Sequence, residues 1–282
     1  MKNFAFNSLA GRLGDVIGHR NLVRIGAFLV RAGRQDMPNH IAANGEALIQ
    51  KTMLSKVNKT EVIIIDCGAN IGQWSTQLFE TTKAIGHASD LKVFCFEPSS
   101  FTHDKLSAKL EKLQSPNMSF SAIKKALSNR PGMLNLKIVH DGAGTNSLVN
   151  VPGGYASEET VLVTTVDEFV AENGLEKIHL LKVDAEGHDL DVIRGAENLL
   201  DEQRINLIQF EYNWRWIYGK HFLQEAFEYL TQRDYEIGKI TPAGIQFYAK
   251  YDTQLESFIE GNYLACSKSW KGFFRQVTSW LG

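Results

Sequence analysis

Apolar residues run unbroken through Val62, Ile63, Ile64 and Ile65, stop at Asp66, and give way to Gly68, Asn70 and Gly72. A continuous β-branched run is the pattern of a strand buried on both faces. The glycines mark a tight turn into a helix over about 72–84. The same succession recurs, predicting strands over 92–96, 118–124, 178–184 and 205–211 and helices over 101–113, 166–172, 188–200 and 223–233. Strands alternating with helices build a mostly parallel sheet covered on both faces. Two further runs, 235–240 and 245–250, are spaced as an antiparallel pair.

The flanks read differently. Apolar positions at helical spacing predict helix over 3–33, although Gly11, Gly14, Gly18 and Gly26 weaken the pattern; Pro38 and Asn39 punctuate it, and a second helix covers 45–54. Between about 129 and 165 the pattern alternates, with turns at Gly142-Ala143-Gly144 and Pro152-Gly153-Gly154, which predicts a β-hairpin insertion in the sheet edge. Beyond Ser269, Trp270, Phe273, Phe274, Val277 and Leu281 fall at helical spacing beside Lys268, Lys271 and Arg275. An end helix docked on the body or on a second subunit is the favoured reading, and an interfacial membrane helix the alternative. The expected organisation is therefore a helical extension over 1–55, a catalytic domain over 56–252 and a helical tail over 253–282.

Composition narrows the function classes. A formal charge of -2 over 282 residues supplies no basic field for nucleic acid. Three cysteines, Cys67, Cys95 and Cys266, are too few and scattered for a disulfide framework, and a reducing, cytoplasmic setting is expected. Arg12, Asp15, His19, Arg20 and Arg24 interrupt any secretory h-region, and no run is long enough to span a bilayer. The histidines lack metal-ligand spacing.

Candidate chemistry gathers at strand ends, where open α/β sheets bind ligands. The turn after Asp66 resembles a dinucleotide fingerprint, but Asn70 and Gln73 replace its second and last glycines. It keeps its tightness and loses the close approach that a pyrophosphate needs. Asp66 suits an amino-bearing ligand better than a phosphate, and a plain turn with a capping asparagine is the alternative. Glu97, ending the second strand before Pro98, is placed to accept both hydroxyls of a ribose, or else to cap the next helix. Lys182-Val183-Asp184-Ala185-Glu186-Gly187-His188 crowds two carboxylates and a histidine at a later strand end. Such charges are costly unless paired or used, and Lys182 could neutralise one of them. Glu211 ends the neighbouring strand on the same rim, either salt-bridged or, with Asp184, ligating a divalent ion. Tyr212, Trp214, Trp216 and Tyr218 form either a sugar-stacking wall or local core, with core favoured.

In order, Asp66 to Gln73, Phe96-Glu97-Pro98, Ala126-Leu127-Ser128-Asn129, Thr165-Val166-Asp167, Lys182 to His188 and Ile193-Arg194-Gly195-Ala196 resemble the FkbM-type S-adenosylmethionine-dependent methyltransferases. The resemblance runs over about 62–215. It implies an α/β, Rossmann-like class I methyltransferase fold: a mostly parallel seven-stranded sheet with an antiparallel last strand. It implies S-adenosylmethionine as cofactor, with Asp66, Gly68, Asn70 and Gly72 around its methionine part, Glu97 on the ribose, Pro98 and Ser99 near the adenosine, and Ala126 and Leu127 by the adenine. It also implies O-methylation of sugar hydroxyls or natural products.

A hydroxyl must lose its proton to accept a methyl group. Asp184, Glu186 and His188 are the expected catalytic residues, with Asp184 or His188 as base; a divalent metal on Asp184 and Glu211 is the variant. A sugar or glycosylated small molecule is the expected partner, with no nucleic acid, a peripheral membrane contact through the tail as an option, and a homo-oligomer as another. The competing readings are an NAD(P)-dependent oxidoreductase and a non-catalytic scaffold on an inherited sheet.

Overall fold

A computed structural model describes residues 11–36, 43–57, 61–87 and 89–281. Part of the helix expected over 3–33, together with Pro38 and Asn39, lies outside the described residues. After a helical stretch at 11–17, α1 (His19–Arg34) and α2 (Glu46–Lys56) precede the core. The core then runs β1 (Val62–Cys67), α3 (Gln73–Ile85), β2 (Leu91–Phe96), α4 (Ser100–Leu110) and β3 (Met118–Ile123). An insertion follows, with β4 (Ala126–Leu127), β5 (Gly132–Ile138) and β6 (Ser157–Thr164). The α/β alternation resumes with α5 (Val166–Glu172), β7 (Ile178–Val183), α6 (Asp189–Arg194), α7 (Glu197–Asp201) and β8 (Ile205–Tyr212). Last come α8 (Trp216–Gly219), α9 (Leu223–Thr231), β9 (Tyr235–Thr241), β10 (Gly244–Tyr248), β11 (Gly261–Ser267) and α10 (Lys268–Lys271).

The main sheet has the order β10-β9-β11-β8-β7-β1-β2-β3. Strands β1, β2, β3, β7 and β8 pair in parallel. Every residue of β1, β7 and β8 is buried, as expected for central strands with helices on both faces. The chain winds outward from β1 through β2 to β3, then returns to β7 on β1's other side. That reversal makes a crevice beyond the carboxyl ends of β1 and β7. This is the α/β, Rossmann-like architecture read from the sequence, with antiparallel strands at its carboxyl-terminal end.

Several boundaries differ from expectation. The sheet has eight strands, one more than seven. The antiparallel strand inside it is β11, which pairs with both β8 and β9. It lies in the segment expected to be a helical tail from 253, so the domain does not end at 252. The tail holds a 3-10 turn at Thr253–Leu255 and, after β11, one α-helical turn, α10, and then runs extended beside β10. There Ile245 N–H donates to Arg275 O at 2.8 Å and Val277 N–H to Ile245 O at 2.9 Å. The free edge of β10 offers unpaired backbone groups, and Gly244 admits the approach: a Cβ there would meet Arg275 O at 2.3 Å. Trp270 and Phe274 are buried on the body, so this segment docks there, with Phe273 exposed beside them.

The expected helix over 188–200 is two short ones. Asp167 caps the second by accepting from Asn198 N–H at 2.9 Å and Leu199 N–H at 3.1 Å. The insertion is not an added edge of the main sheet. It is a separate sheet of order β4-β6-β5, with its own small core of Leu136, Ile138, Val161 and Val163.

Candidate active site

Two loops lace together at the crevice. Gly68 holds φ 74°, and a Cβ on it would lie 1.9 Å from Asp184 O. Asp184 N–H donates to Cys67 O at 3.1 Å, so the turn after β1 and the end of β7 are one unit. Asn70, at φ 47°, points its backbone N–H at Glu97 Oε2 at 3.1 Å, and Ser99 N–H donates to Glu97 Oε1 at 2.9 Å. Burial nevertheless pushes the Glu97 carboxyl up to about 7, with those two N–H groups opposing.

A cavity of about 550 Å³ lies above this unit. Gly68, Asn70, Glu97, Pro98, Ala126, Leu127, Asp184 and Glu186 all reach its wall, and the insertion covers it with Leu136, Gly144 and Ser147. A second cavity of about 1160 Å³ shares Gly68, Asn70 and Asp184 with the first and adds Trp74 and Lys182. A third, of about 610 Å³, lies between the insertion and Trp214 and Arg215, and shares Ser147 with the first.

Not every expected residue is on a wall. Asp66 is fully buried, accepting from Ser75 Oγ at 2.9 Å and lying 3.4 Å from Lys182 Nζ. Burial raises its pKa, and the Lys182 charge opposes the rise. Lys182 also lies 3.3 Å from Asp184 Oδ2. Burial works against the Lys182 charge, yet Asp184, Asp66 and Glu46 hold its pKa above the usual value. Lys182 is thus the neutralising group, and it stands between Asp66 and the cleft. Gly72 starts α3, and Ser99 precedes α4 and contributes its backbone N–H.

His188 lies apart from the other two expected catalytic residues. Its Nε2 meets Ser128 Oγ at 2.9 Å, its Nδ1 lies 3.3 Å from Asp191, and it lines neither the first nor the second cavity. Burial lowers its pKa. Glu186 at φ 53° and Gly187 at φ 97° turn the chain so that Glu186 reaches the cleft and His188 does not.

The carboxylates do converge. Oxygens of Asp184, Glu186 and Glu211 lie within 4.8 Å of one another. Glu186 Oε2 pairs with Arg215 Nη1 at 2.8 Å, and its backbone carbonyl accepts from Ser147 Oγ at 2.8 Å. Burial and then the Asp184 charge push Glu186 up to about 8, against Arg215. Burial, then Asp184 and Glu186, push Glu211 well up. Asp189 secures the loop beneath by accepting from Ala185 N–H at 2.9 Å and Gly187 N–H at 3.0 Å. The aromatic stretch divides: Tyr212 and Trp216 are core, whereas Trp214 and Tyr218 are exposed.

Residues 66–237 match the family model described as the methyltransferase FkbM domain, well over half of the chain. The chain belongs to the FkbM methyltransferase family. Among curated proteins it is similar to the hexuronic acid methyltransferase AglP of Haloferax volcanii, 26% identical over 167 residues, 59% of this chain and 62% of that protein. The chain therefore spans less than two thirds of that relative's length. It is also similar to the 2-O-methyltransferase NoeI of Sinorhizobium fredii, 23% identical over 187 residues, 60% of this chain and 71% of that protein. A crystal structure of methyltransferase FkbM from Methylobacillus flagellatus aligns with 75% of this chain and 45% of its own at 16% identity, with a TM-score of 0.47.

Membership of the FkbM family implies S-adenosylmethionine, and the cleft's residues fit that molecule. Glu97 is an acceptor on the wall of the first cavity. Asn70 Oδ1 and Trp74 Nε1 are buried without a hydrogen-bond partner among the described residues, one an acceptor and one a donor, and both residues line the second cavity. A methionine ammonium and carboxylate ask for that pair. Ser147 and Arg215 carry no local signal in the sequence, because each arrives from an element whose position only the fold sets, whereas Trp74 directly follows the glycine turn on α3 and its place there is the signal.

Proposed function

We propose that this FkbM-family protein is an S-adenosylmethionine-dependent O-methyltransferase acting on a sugar hydroxyl. The observation that carries the reading is one cavity whose wall holds Glu97 together with Asp184 and Glu186. The printed activities of the Haloferax and Sinorhizobium relatives, on a hexuronic acid and at a 2-O position, support a sugar acceptor. Exposed Trp214 beside the third cavity offers a stacking face for a sugar ring.

In this reading Glu97 accepts the ribose hydroxyls, and Asn70 and Trp74 take the amino-acid end. Bound S-adenosylmethionine supplies the methyl group as a sulfonium and leaves as the thioether. Asp184 accepts the proton of the acceptor hydroxyl, with Lys182 fixing its carboxylate. Glu186, held by Arg215 and Ser147, positions the acceptor. His188 holds the α6 end of the loop against Ser128 and takes no proton from the acceptor. The insertion excludes water from the adenosine side.

Transfer of labelled methyl groups to a panel of glucuronides, lipid-linked sugars and oligosaccharides tests the reading. Asp184→Asn is expected to lower kcat on the order of 100-fold or more with the cofactor Kd unchanged. Near-normal turnover would remove Asp184 as base. Stabilisation by NAD, and by neither S-adenosylmethionine nor S-adenosylhomocysteine, would replace the reading with the oxidoreductase. A divalent ion on Asp184 and Glu211 is the second reading, favoured by the approach of Glu186 to both. Such an ion would lower the pKa of the acceptor hydroxyl. Turnover indifferent to a chelator ends it.

A further inference from the structure

The unabsorbed feature of this molecule is α1. No residue of the helix is buried, and Val23, Phe28 and Leu29 are 70%, 69% and 61% exposed. At 3.6 residues per turn, Arg20, Arg24, Arg31 and Arg34 fall within an arc of about 80°, and the large apolar side chains occupy the remainder. The helix carries four arginines and no acid. Removing those four charges from the formal total of -2 leaves -6 on the rest of the chain. Among the described residues, α1 thus combines basic charge with an apolar face that has no cover.

Among the described residues, the carboxyl end of α1 is the end tied to the body. Arg34 Nη2 donates to Gln254 O at 2.9 Å, and its guanidinium lies 4.5 Å from the Trp280 ring centre. Arg20, Arg24 and Arg31 form no ion pair among the described residues.

We infer that α1 docks this protein on an anionic lipid surface, its apolar side chains entering the acyl boundary and Arg20, Arg24 and Arg31 meeting lipid phosphates. Apolar contact and basic charge on one helix are what such a surface rewards. The acidic body is repelled by the same surface, which orients the molecule with α1 toward the lipid. A second copy on the apolar face would leave the arginine stripe, on the opposite side, without acids on α1 to receive it. Among the described residues no helix is long and apolar enough to cross a membrane, so the contact is peripheral.

The experiment is sedimentation of the full-length protein with phosphatidylcholine vesicles, with and without phosphatidylglycerol. Binding is expected on the mixed vesicles, weakened by salt and weak on phosphatidylcholine alone. The triple variant Arg20→Glu, Arg24→Glu, Arg31→Glu should lose affinity for mixed vesicles on the order of 100-fold. Phe28→Ser with Leu29→Ser should lose binding to both. All five residues are exposed, so unchanged thermal unfolding of the variants is the folding control. No binding to mixed vesicles overturns the inference, as does wild-type binding by the arginine variant. A dimer in solution broken by Phe28→Ser, without lipid binding, gives the face to a second copy and also overturns it.

Discussion

Glu97 shows how one buried carboxyl couples the cleft to pH. Its usual pKa is 4.5, and in the fold it lies at about 7. Below the lower value both folded and unfolded chains hold the proton, and the fold bears no penalty. As pH climbs from 4.5 to about 7 the unfolded chain gives up this proton while the fold retains it, so the contribution is lost across that window and is gone once pH has passed the folded value. In the proposed complex, ribose hydroxyls donate to Glu97, which favours the ionised form. Binding then expels a proton, and cofactor affinity should rise with pH, by up to about tenfold per unit, until it levels above pH 7. Titration calorimetry in buffers of different ionisation heat measures both the affinity and the released proton. Glu97→Gln should bind more weakly and show a flat profile. A variant that keeps the wild-type slope would place the titrating group elsewhere.

At the scale of elements, β11 decides where the domain ends. Its backbone bonds to β8 on one side and to β9 on the other, and Tyr263, Leu264, Ala265 and Cys266 are all buried. A chain ending at residue 252 would open a gap inside the sheet and expose two strand edges. It is expected to lose cooperative melting by circular dichroism and to aggregate. A chain ending after Lys271 keeps β11 and loses Phe274 and the extended strap with Trp280 and Leu281, at a cost of about 3–5 kcal/mol for the buried phenylalanine and a lowered Tm. Cooperative melting of the shorter chain at the wild-type temperature would show that β11 is dispensable. The sequence pattern revealed β1, β7 and β8 because strands buried on both faces are apolar throughout. It hid β11, whose four apolar residues sit between Gly261-Asn262 and Ser267 and whose partners are distant in the chain. The site divides in the same way. Glu97, Asp184 and Glu211 could be placed because strand ends locate them. His188 could not be placed, because proximity along the chain says nothing about the left-handed turn at Glu186.

Across the whole molecule, the cleft is short of positive charge. Asp66, Asp184, Glu186, Asp189 and Glu211 crowd one region, and Lys182 and Arg215 answer them. Burial raises Glu186 to about 8 and Asp189 to about 7, so protons fill part of the deficit at neutral pH. A cationic ligand can fill it instead, and a sulfonium is such a ligand. Methyl transfer then removes the charge that holds the cofactor, and the neutral thioether left behind is held less firmly. The prediction is a difference between two analogues: one with an amine where the sulfonium stands should bind about tenfold more tightly than S-adenosylhomocysteine. The gap should widen as pH rises through about 8, because Glu186 gives up its proton there and the deficit grows. Glu186→Gln should abolish the widening by removing the carboxyl that titrates there. Competition binding across pH reads all three effects. Equal affinity of the two analogues at every pH would mean that Lys182 and Arg215 already balance the cleft, and that product release is driven by shape rather than by charge.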